Sequence, residues 1–463
     1  MTDHTTRDRA AGPEAAARGR VARATLAGTT LEWYDFFLYG TAAALIFNKQ
    51  FFPDLNPTAG TLAAFSTFAV GFIARPLGGL VFGHFGDRIG RKATLVVSLV
   101  MMGIGSTLIG LVPNYDAIGV WAPVLLVVLR IVQGIGLGGE GAGATLMSME
   151  HAPAGKKNLY AGFPQMGTPA GLVLANGIFL LVGNVLPDSS FQAWGWRIPF
   201  LLSFVLVAIG LAIRLRITES PSFSGVVENH AVAKLPIREA LDVGFVRLAL
   251  TLAAVVANSA VAYVFMVFAL SYGTQELGYD KQFLILGVMA AAALWFASIP
   301  VWTMVADRYG RRTMFIGGSA AILIWCVAFF PLLDTANAAV ATIAFVGMGL
   351  IIPITHCVQG SIIADTFPVR VRYSGSSLIL QSGAILGGGL APMIATALLD
   401  ATESSAGVTW YLAVICAISL CGAIALFRVV PDSSRGLQHD ETPTAGGAEP
   451  ATALGEESAA ARL

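Results

Sequence analysis

Twelve stretches of roughly twenty apolar residues run through this chain, each long enough to cross a bilayer as a helix. The spans are predicted at 24–47, 61–83, 93–112, 121–144, 160–184, 197–215, 244–271, 282–305, 313–332, 337–363, 374–398 and 408–429. Such runs leave few folds open. In hydrocarbon each backbone N–H and C=O must be paired within its own segment, so an all-α membrane protein is expected. Only 12% of the residues are charged, about half the share of a soluble domain.

A longer hydrophilic stretch, 216–243, divides the spans six and six. The predicted organisation is a tail over 1–23, a six-helix bundle over 24–215, a central loop over 216–243, a second bundle over 244–429 and a disordered tail over 430–463. The first tail is polar and lacks an apolar core, so it does not read as a cleaved signal peptide. The last is rich in Ala, Gly, Glu, Ser and Thr, a composition that cannot bury a core. Cys326, Cys357, Cys416 and Cys421 all lie in apolar segments with no C-x-x-C spacing. They read as packing residues, with no disulfide and no metal site. Lys+Arg and Asp+Glu are equal at 28 each, so net charge points to no nucleic acid or other polyanionic partner.

Orientation follows from the placement of the cations. With the N-terminus in the cytoplasm, 23 of the 28 lysines and arginines fall in cytoplasmic segments. Lys49, Arg197 and Lys281 fall outside, and Arg75 and Arg130 lie within spans. Both termini are therefore expected inside.

The two halves carry the same punctuation. After the second span comes Gly83-His84-Phe85-Gly86-Asp87-Arg88-Ile89-Gly90-Arg91-Lys92, and after the eighth comes Ala306-Asp307-Arg308-Tyr309-Gly310-Arg311-Arg312. The fourth span ends in Glu150-His151-Ala152-Pro153 and the tenth in Asp365-Thr366-Phe367-Pro368. Two copies of D-R-x-G-R-[KR], each followed by acid-x-x-Pro, indicate a duplicated six-helix unit.

The duplicated loop resembles the signature of the major facilitator superfamily. Three further strings resemble its metabolite:proton symporter branch: Glu32-Trp33-Tyr34-Asp35-Phe36-Phe37-Leu38-Tyr39-Gly40, Arg75-Pro76-Leu77-Gly78-Gly79 and Glu219-Ser220-Pro221-Ser222-Phe223. Within that branch the chain looks most like shikimate-type transporters, over about residues 20 to 430. The resemblance implies two pseudo-symmetric bundles and proton-coupled uptake of a small metabolite by alternating access. It implies no catalysis and no cofactor, and the chain is expected to act as a monomer. It also implies that Asp87, Arg88, Arg91, Glu150, Asp307, Arg308, Arg311 and Asp365 form a cytoplasmic gate that latches the halves together. Arg91 and Arg311 can pair there with Glu150 and Asp365, while Asp87 and Asp307 can sit against helix N-termini. One departure is the amide at Asn258, near which a shikimate-type relative is expected to carry an acid.

Away from the span ends, charge is confined to the first half, as Glu32, Asp35, Arg75, Arg130 and Glu140. A charge at mid-bilayer costs at least roughly 2.5–3.5 kcal/mol, so these groups need a function or a partner. At 1.5 Å per residue, Asp35 and Arg130 lie at similar depth, as do Glu32 and Arg75. The expected couples are Asp35–Arg130 and Glu32–Arg75. A buried carboxylate beside arginine stays ionised, and it takes a proton more readily once a solute carboxylate draws the arginine away. Proton and anion then favour each other's binding, and all four residues are candidates for proton coupling. The same pairs could instead only hold helices together.

Candidates for the solute wall are Arg130, Gln133 one turn away, Gln165, Asn258, Tyr263, Trp295, His356, Gln359 and Gln381. Asn176 shares a stripe with Gln165. Such polar groups also serve as interhelical hydrogen bonds. Asn258 and Tyr263 are five residues apart, so both cannot aim straight at one cavity. Gly136-Leu137-Gly138-Gly139-Glu140-Gly141 matches G-x-G-x-x-G but lies inside a span, not between a strand and a helix. It reads as a close-packing stripe. No G-x-x-x-x-G-K-[ST] occurs, which excludes ATP-driven transport by this chain. The leading expectation is a proton symporter for a small organic acid, a shikimate-like or other hydroxylated or aromatic carboxylate. The alternative solute is a zwitterionic osmolyte such as proline or betaine.

Overall fold

The computed structural model describes residues 4–89, 91–138, 144–145, 148–149, 152–153, 157–215, 241–367 and 372–429. Among the described residues, helices occupy each of the twelve expected spans. They are α1 (His4–Leu45), α2 (Pro57–Ile89), α3 (Arg91–Leu111), α4 (Trp121–Gly138), α5 (Lys157–Val185), α6 (Arg197–Leu215), α7 (Phe245–Gln275), α8 (Lys281–Tyr309), α9 (Arg311–Leu333), α10 (Ala338–Asp365), α11 (Arg372–Gly383, running on to Thr402) and α12 (Ser405–Val429). Among the described residues, ten of these helices are apolar enough along their length to cross a membrane. The other two are α1, where Glu32 and Asp35 dilute the apolar run, and α3, whose apolar part is the shorter Val96–Leu111. The first helix extends beyond the expected span into the polar tail. It starts at His4 rather than near residue 24, because polar residues do not by themselves stop a helix.

The halves repeat each other's packing. In the first, α1 lies on α5, α2 on α4 and α3 on α6; in the second, α7 lies on α11, α8 on α10 and α9 on α12. Between the halves, α2 meets α11 and α5 meets α8, again a matched pair. Two glycines show how tight the repeated contacts are. A Cβ on Gly138 would strike the Arg75 carbonyl across α2 and α4, and one on Gly349 would strike the Ala291 carbonyl across α8 and α10. Without a hydrophobic drive between helices in lipid, such backbone approach is what gives packing energy. Gly310 joins α8 to α9 at φ +88°, a conformation open to glycine but strained for other residues.

The middle of α6 buries its serine and turns bulky apolar side chains outward. On α6, Leu201, Phe204, Val205 and Ile209 are exposed to the surroundings, while Ser203 and Gly210 are buried. Two helices widen into π turns, α7 at Val264–Phe268 and α11 at Ala384–Gly389. Such turns shift the helix face by one residue and are frequent at functional sites. Both flank the seam between the halves, where Gly388 packs on Tyr263 and Phe72.

The halves touch on both sides of that seam. On the face that carries Asp54, Gln275 donates to Thr61 at 3.4 Å and Ser66 Oγ reaches Met393 Sδ at 3.3 Å. On the face that carries Arg311, Gly162 packs on Ile299 and Thr303, and Gly360 on Gln165 and Thr145. Among the described residues the halves are in contact toward both ends, with the polar groups between.

Candidate functional site

Asp35, Arg130, Glu32 and Arg75 are all buried, at 2%, 1%, 5% and 5% relative exposure. They lie in one region of the first bundle but are not joined as direct ion pairs. Asp35 Oδ1 accepts a hydrogen bond from Ser203 of α6 at 2.5 Å, and Ser106 of α3 faces the same carboxylate. Arg130 Nη1 donates to Gln133 Oε1 at 2.9 Å, and Gln133 Nε2 donates to Ser106 at 2.5 Å. The acid and the guanidinium therefore communicate through an amide and a hydroxyl. The expected direct couple of Asp35 with Arg130 is replaced by this chain of contacts.

The reason lies in what competes for the guanidinium. Its Cζ sits 3.8 Å from the centre of the Tyr39 ring, and the Tyr39 hydroxyl is fixed by Thr67 at 2.6 Å. Cation–π attraction is strong when both partners are desolvated. Nη2 reaches only the Phe68 carbonyl, at 3.5 Å, and Nε has no hydrogen-bond partner.

The second couple is likewise looser than expected. Arg75 and Arg214 both act on Glu32 electrostatically, but Glu32 Oε2 and Arg75 Nε lack hydrogen-bond partners. The Arg75 guanidinium lies over Phe36 at 4.4 Å and Phe72 at 4.5 Å. Tyr263 of α7 comes from the other half, with its hydroxyl beside Arg75, though not aligned as a hydrogen bond. Its ring packs at 5.2 Å from Phe72 and 5.6 Å from Phe36. Arg214 lies at the end of α6, with its side chain against Gly28.

The second half contributes a neutral network. Asn258 Nδ2 donates to Gln359 Oε1 at 2.5 Å and lies 3.1 Å from His356 Nδ1, while Thr355 donates to Asn258 Oδ1 at 3.1 Å. With Nδ1 accepting, His356 carries its proton on Nε2, and that atom has no hydrogen-bond partner. The Trp295 ring stands edge-on to His356 at 5.0 Å, with its Nε1 also unpaired. Gln381 is buried in α11, and Gln165 lies on Gly360 of α10. Asn176 is taken up by Thr41 of α1 at 2.7 Å. Asn258 and Tyr263 do point apart, one into this network and the other into the seam.

At the Arg311 face, Arg311 Nη2 lies 2.7 Å from Asp365 Oδ2 and ties α9 to α10. Asp307 and Arg308 lie in the last turn of α8. The side chains of Asp87, Arg88, Arg91, Glu140 and Glu150 lie outside the described residues. Sequence reasoning missed Ser203, Ser106, Tyr39, Thr67 and Thr355. A hydroxyl in a span carries no signal of its rotation, and many bond only their own helix, as Thr107 does to Gly103.

The profile of the Major Facilitator Superfamily matches residues 25–380. The chain belongs to this superfamily. It is 41% identical over 409 residues to the inner membrane metabolite transport protein YhjE of Escherichia coli K12, covering 87% of this chain and 92% of that one. It is also 41% identical over 418 residues to the shikimate transporter of the same organism, covering 88% and 94%. A proline/betaine transporter of that organism is 31% identical over 411 residues, covering 86% and 81%. Among solved structures, the proton:xylose symporter XylE bound to 6-bromo-6-deoxy-D-glucose superposes with a TM-score of 0.70 at 19% identity, over 92% of this chain and 99% of that one. At that identity the likeness establishes the fold. The superfamily consists of multi-pass membrane transporters of small molecules, and this chain is a transporter rather than an enzyme.

Proposed function

We propose that the protein is a proton-coupled symporter that imports a small organic acid across the cytoplasmic membrane, with both termini in the cytoplasm and the monomer as working unit. The observation that carries this reading is the contact chain Asp35–Ser106–Gln133–Arg130, which links a buried acid to a buried guanidinium without fusing them. A negative solute between the bundles disturbs the cation, the amide shifts, and the acid takes up a proton. The loaded site is then closer to neutral and crosses the closed state at lower cost. The charged cluster around Asp307, Arg308, Arg311 and Asp365, with its counterpart in the first half, acts as the cytoplasmic gate.

A zwitterionic osmolyte is the second reading, favoured by the proline/betaine relative. Quaternary ammonium groups are recognised by aromatic faces. Here the faces of Phe36 and Phe72 already hold Arg75, which favours the acid.

The test is accumulation in vesicles with an imposed pH difference of about one unit. One coupled proton gives about tenfold accumulation per unit, since one pH unit is 1.36 kcal/mol. The Asp35→Asn variant is expected to exchange solute but not accumulate it. Undiminished accumulation by this variant removes Asp35 from the mechanism. Competition by carboxylates against betaines separates the two solute classes.

A further inference from the structure

A solute carried by two moving bundles has to be held by both, because binding biases a conformational equilibrium only through contacts that differ between its states. This separates the two buried arginines. The hydrogen bonds, ring contact and closest packing of Arg130 come from α1, α2 and α4, namely Tyr39, Phe68, Gly71 and Gln133. Tyr263 of the second bundle acts on it only electrostatically, and more weakly than on Arg75. Arg75 lies at the seam, with Tyr263 of the second bundle beside it.

The seam also holds unspent hydrogen-bonding capacity. Arg75 Nε, the Tyr263 hydroxyl and Glu32 Oε2 all lack hydrogen-bond partners, and all three residues are at least nine-tenths buried. A buried polar atom left unpaired costs about 1–3 kcal/mol. Two donors and one acceptor from α1, α2 and α7 suit a carboxylate that carries a hydroxyl.

We infer that Arg75 and Tyr263 dock the carboxylate of a hydroxylated acid across the seam, with Glu32 accepting a hydroxyl of the same solute. Arg130 then senses the solute from behind rather than gripping it. The inference rests on the reading of the chain as a carrier of an organic acid. It moves the anion's contact from Arg130 to Arg75.

The experiment is counterflow exchange by the full chain in vesicles with no pH difference. The labelled probes are shikimate, benzoate and glycine betaine, each acid competing with its own methyl ester. Wild type is expected to prefer acid to ester. Arg75→Lys keeps the charge but loses the planar fork, and the half-saturation concentration is expected to rise about tenfold or more while the acid-over-ester preference narrows. Tyr263→Phe keeps the ring in its packing and removes one donor, with the same direction and a smaller rise. It serves as the test if Arg75→Lys does not fold. Wild-type half-saturation and preference in Tyr263→Phe and in folded Arg75→Lys overturn the inference. So does wild-type protein that exchanges neither acid. Failure of the proton-coupling reading shows elsewhere, as accumulation retained by Asp35→Asn.

Discussion

Replacing Gly71 by alanine probes the Arg130 site with a single methyl group. A Cβ at this position would lie 2.9 Å from Arg130 Nη2 and 3.0 Å from both Cζ and Nε. Ordinary contact begins at 3.4 Å, so the guanidinium has to retreat by a few tenths of an ångström. On its other side is the Tyr39 ring at 3.8 Å, pinned by Thr67, and the Nη1 bond to Gln133 is already 2.9 Å long. Overpacking of this kind costs about 1–3 kcal/mol. Alanine also gains about 1 kcal/mol of helix propensity over glycine, which masks part of the loss. The Gly177→Ala variant removes that ambiguity. Its methyl would meet only Met289 Cε, at 3.5 Å, so it receives the propensity gain without the clash. The difference between the two variants is therefore expected to be about 1–3 kcal/mol. The assay is thermal unfolding of the purified proteins in one detergent, paired with pH-driven uptake. Gly71→Ala is expected to melt below Gly177→Ala and to accumulate less solute. Equal melting and equal accumulation would refute the claim that Arg130 is wedged against this glycine.

Gln133→Leu keeps side-chain volume but severs the amide between Arg130 and Ser106; exchange is expected to persist while accumulation per unit of pH difference falls, as measured by proton-to-solute flux ratios. At the Arg311 face, Asp365→Arg alone places two cations together where 2.7 Å now separates unlike charges. Adding Arg311→Asp is expected to restore a substantial part of the lost uptake, and a double variant no better than the single one would deny the pair a role of its own.

Much of the fold was legible because a bilayer leaves so little choice. Twenty apolar residues, a polar turn and a duplicated D-R-x-G-R-[KR] loop were enough for twelve helices in two bundles. Helix depth was legible too, since rise per residue is fixed, and it brought Asp35, Arg130, Glu32 and Arg75 to one region. Rotation was not. Similar depth suggested direct ion pairs, yet Arg130 and Arg75 turn their guanidinium planes onto Tyr39, Phe36 and Phe72. Aromatic faces compete with carboxylates for arginine once water is excluded, and the sequence does not say which partner is nearer. The same blindness hid Ser203, which no spacing distinguishes from the many span hydroxyls that bond only their own helix.

The division of labour between the halves follows from these contacts. Their packing is matched pair for pair, so the fold places no special demand for charge on one side. Yet among the described residues the buried charges of the site stand on α1, α2 and α4, while α7 and α10 answer with Asn258, Thr355, His356 and Gln359 bonded among themselves. A neutral network can read the shape and hydroxyls of a solute without changing the charge that crosses the membrane. The charged set can gain or lose one unit and so register a proton or an anion. Confining charge to one bundle lets the second bundle move past it while exposing no ion to lipid, and Tyr263, the aromatic residue that α7 sends into the charged half, is where the two functions meet.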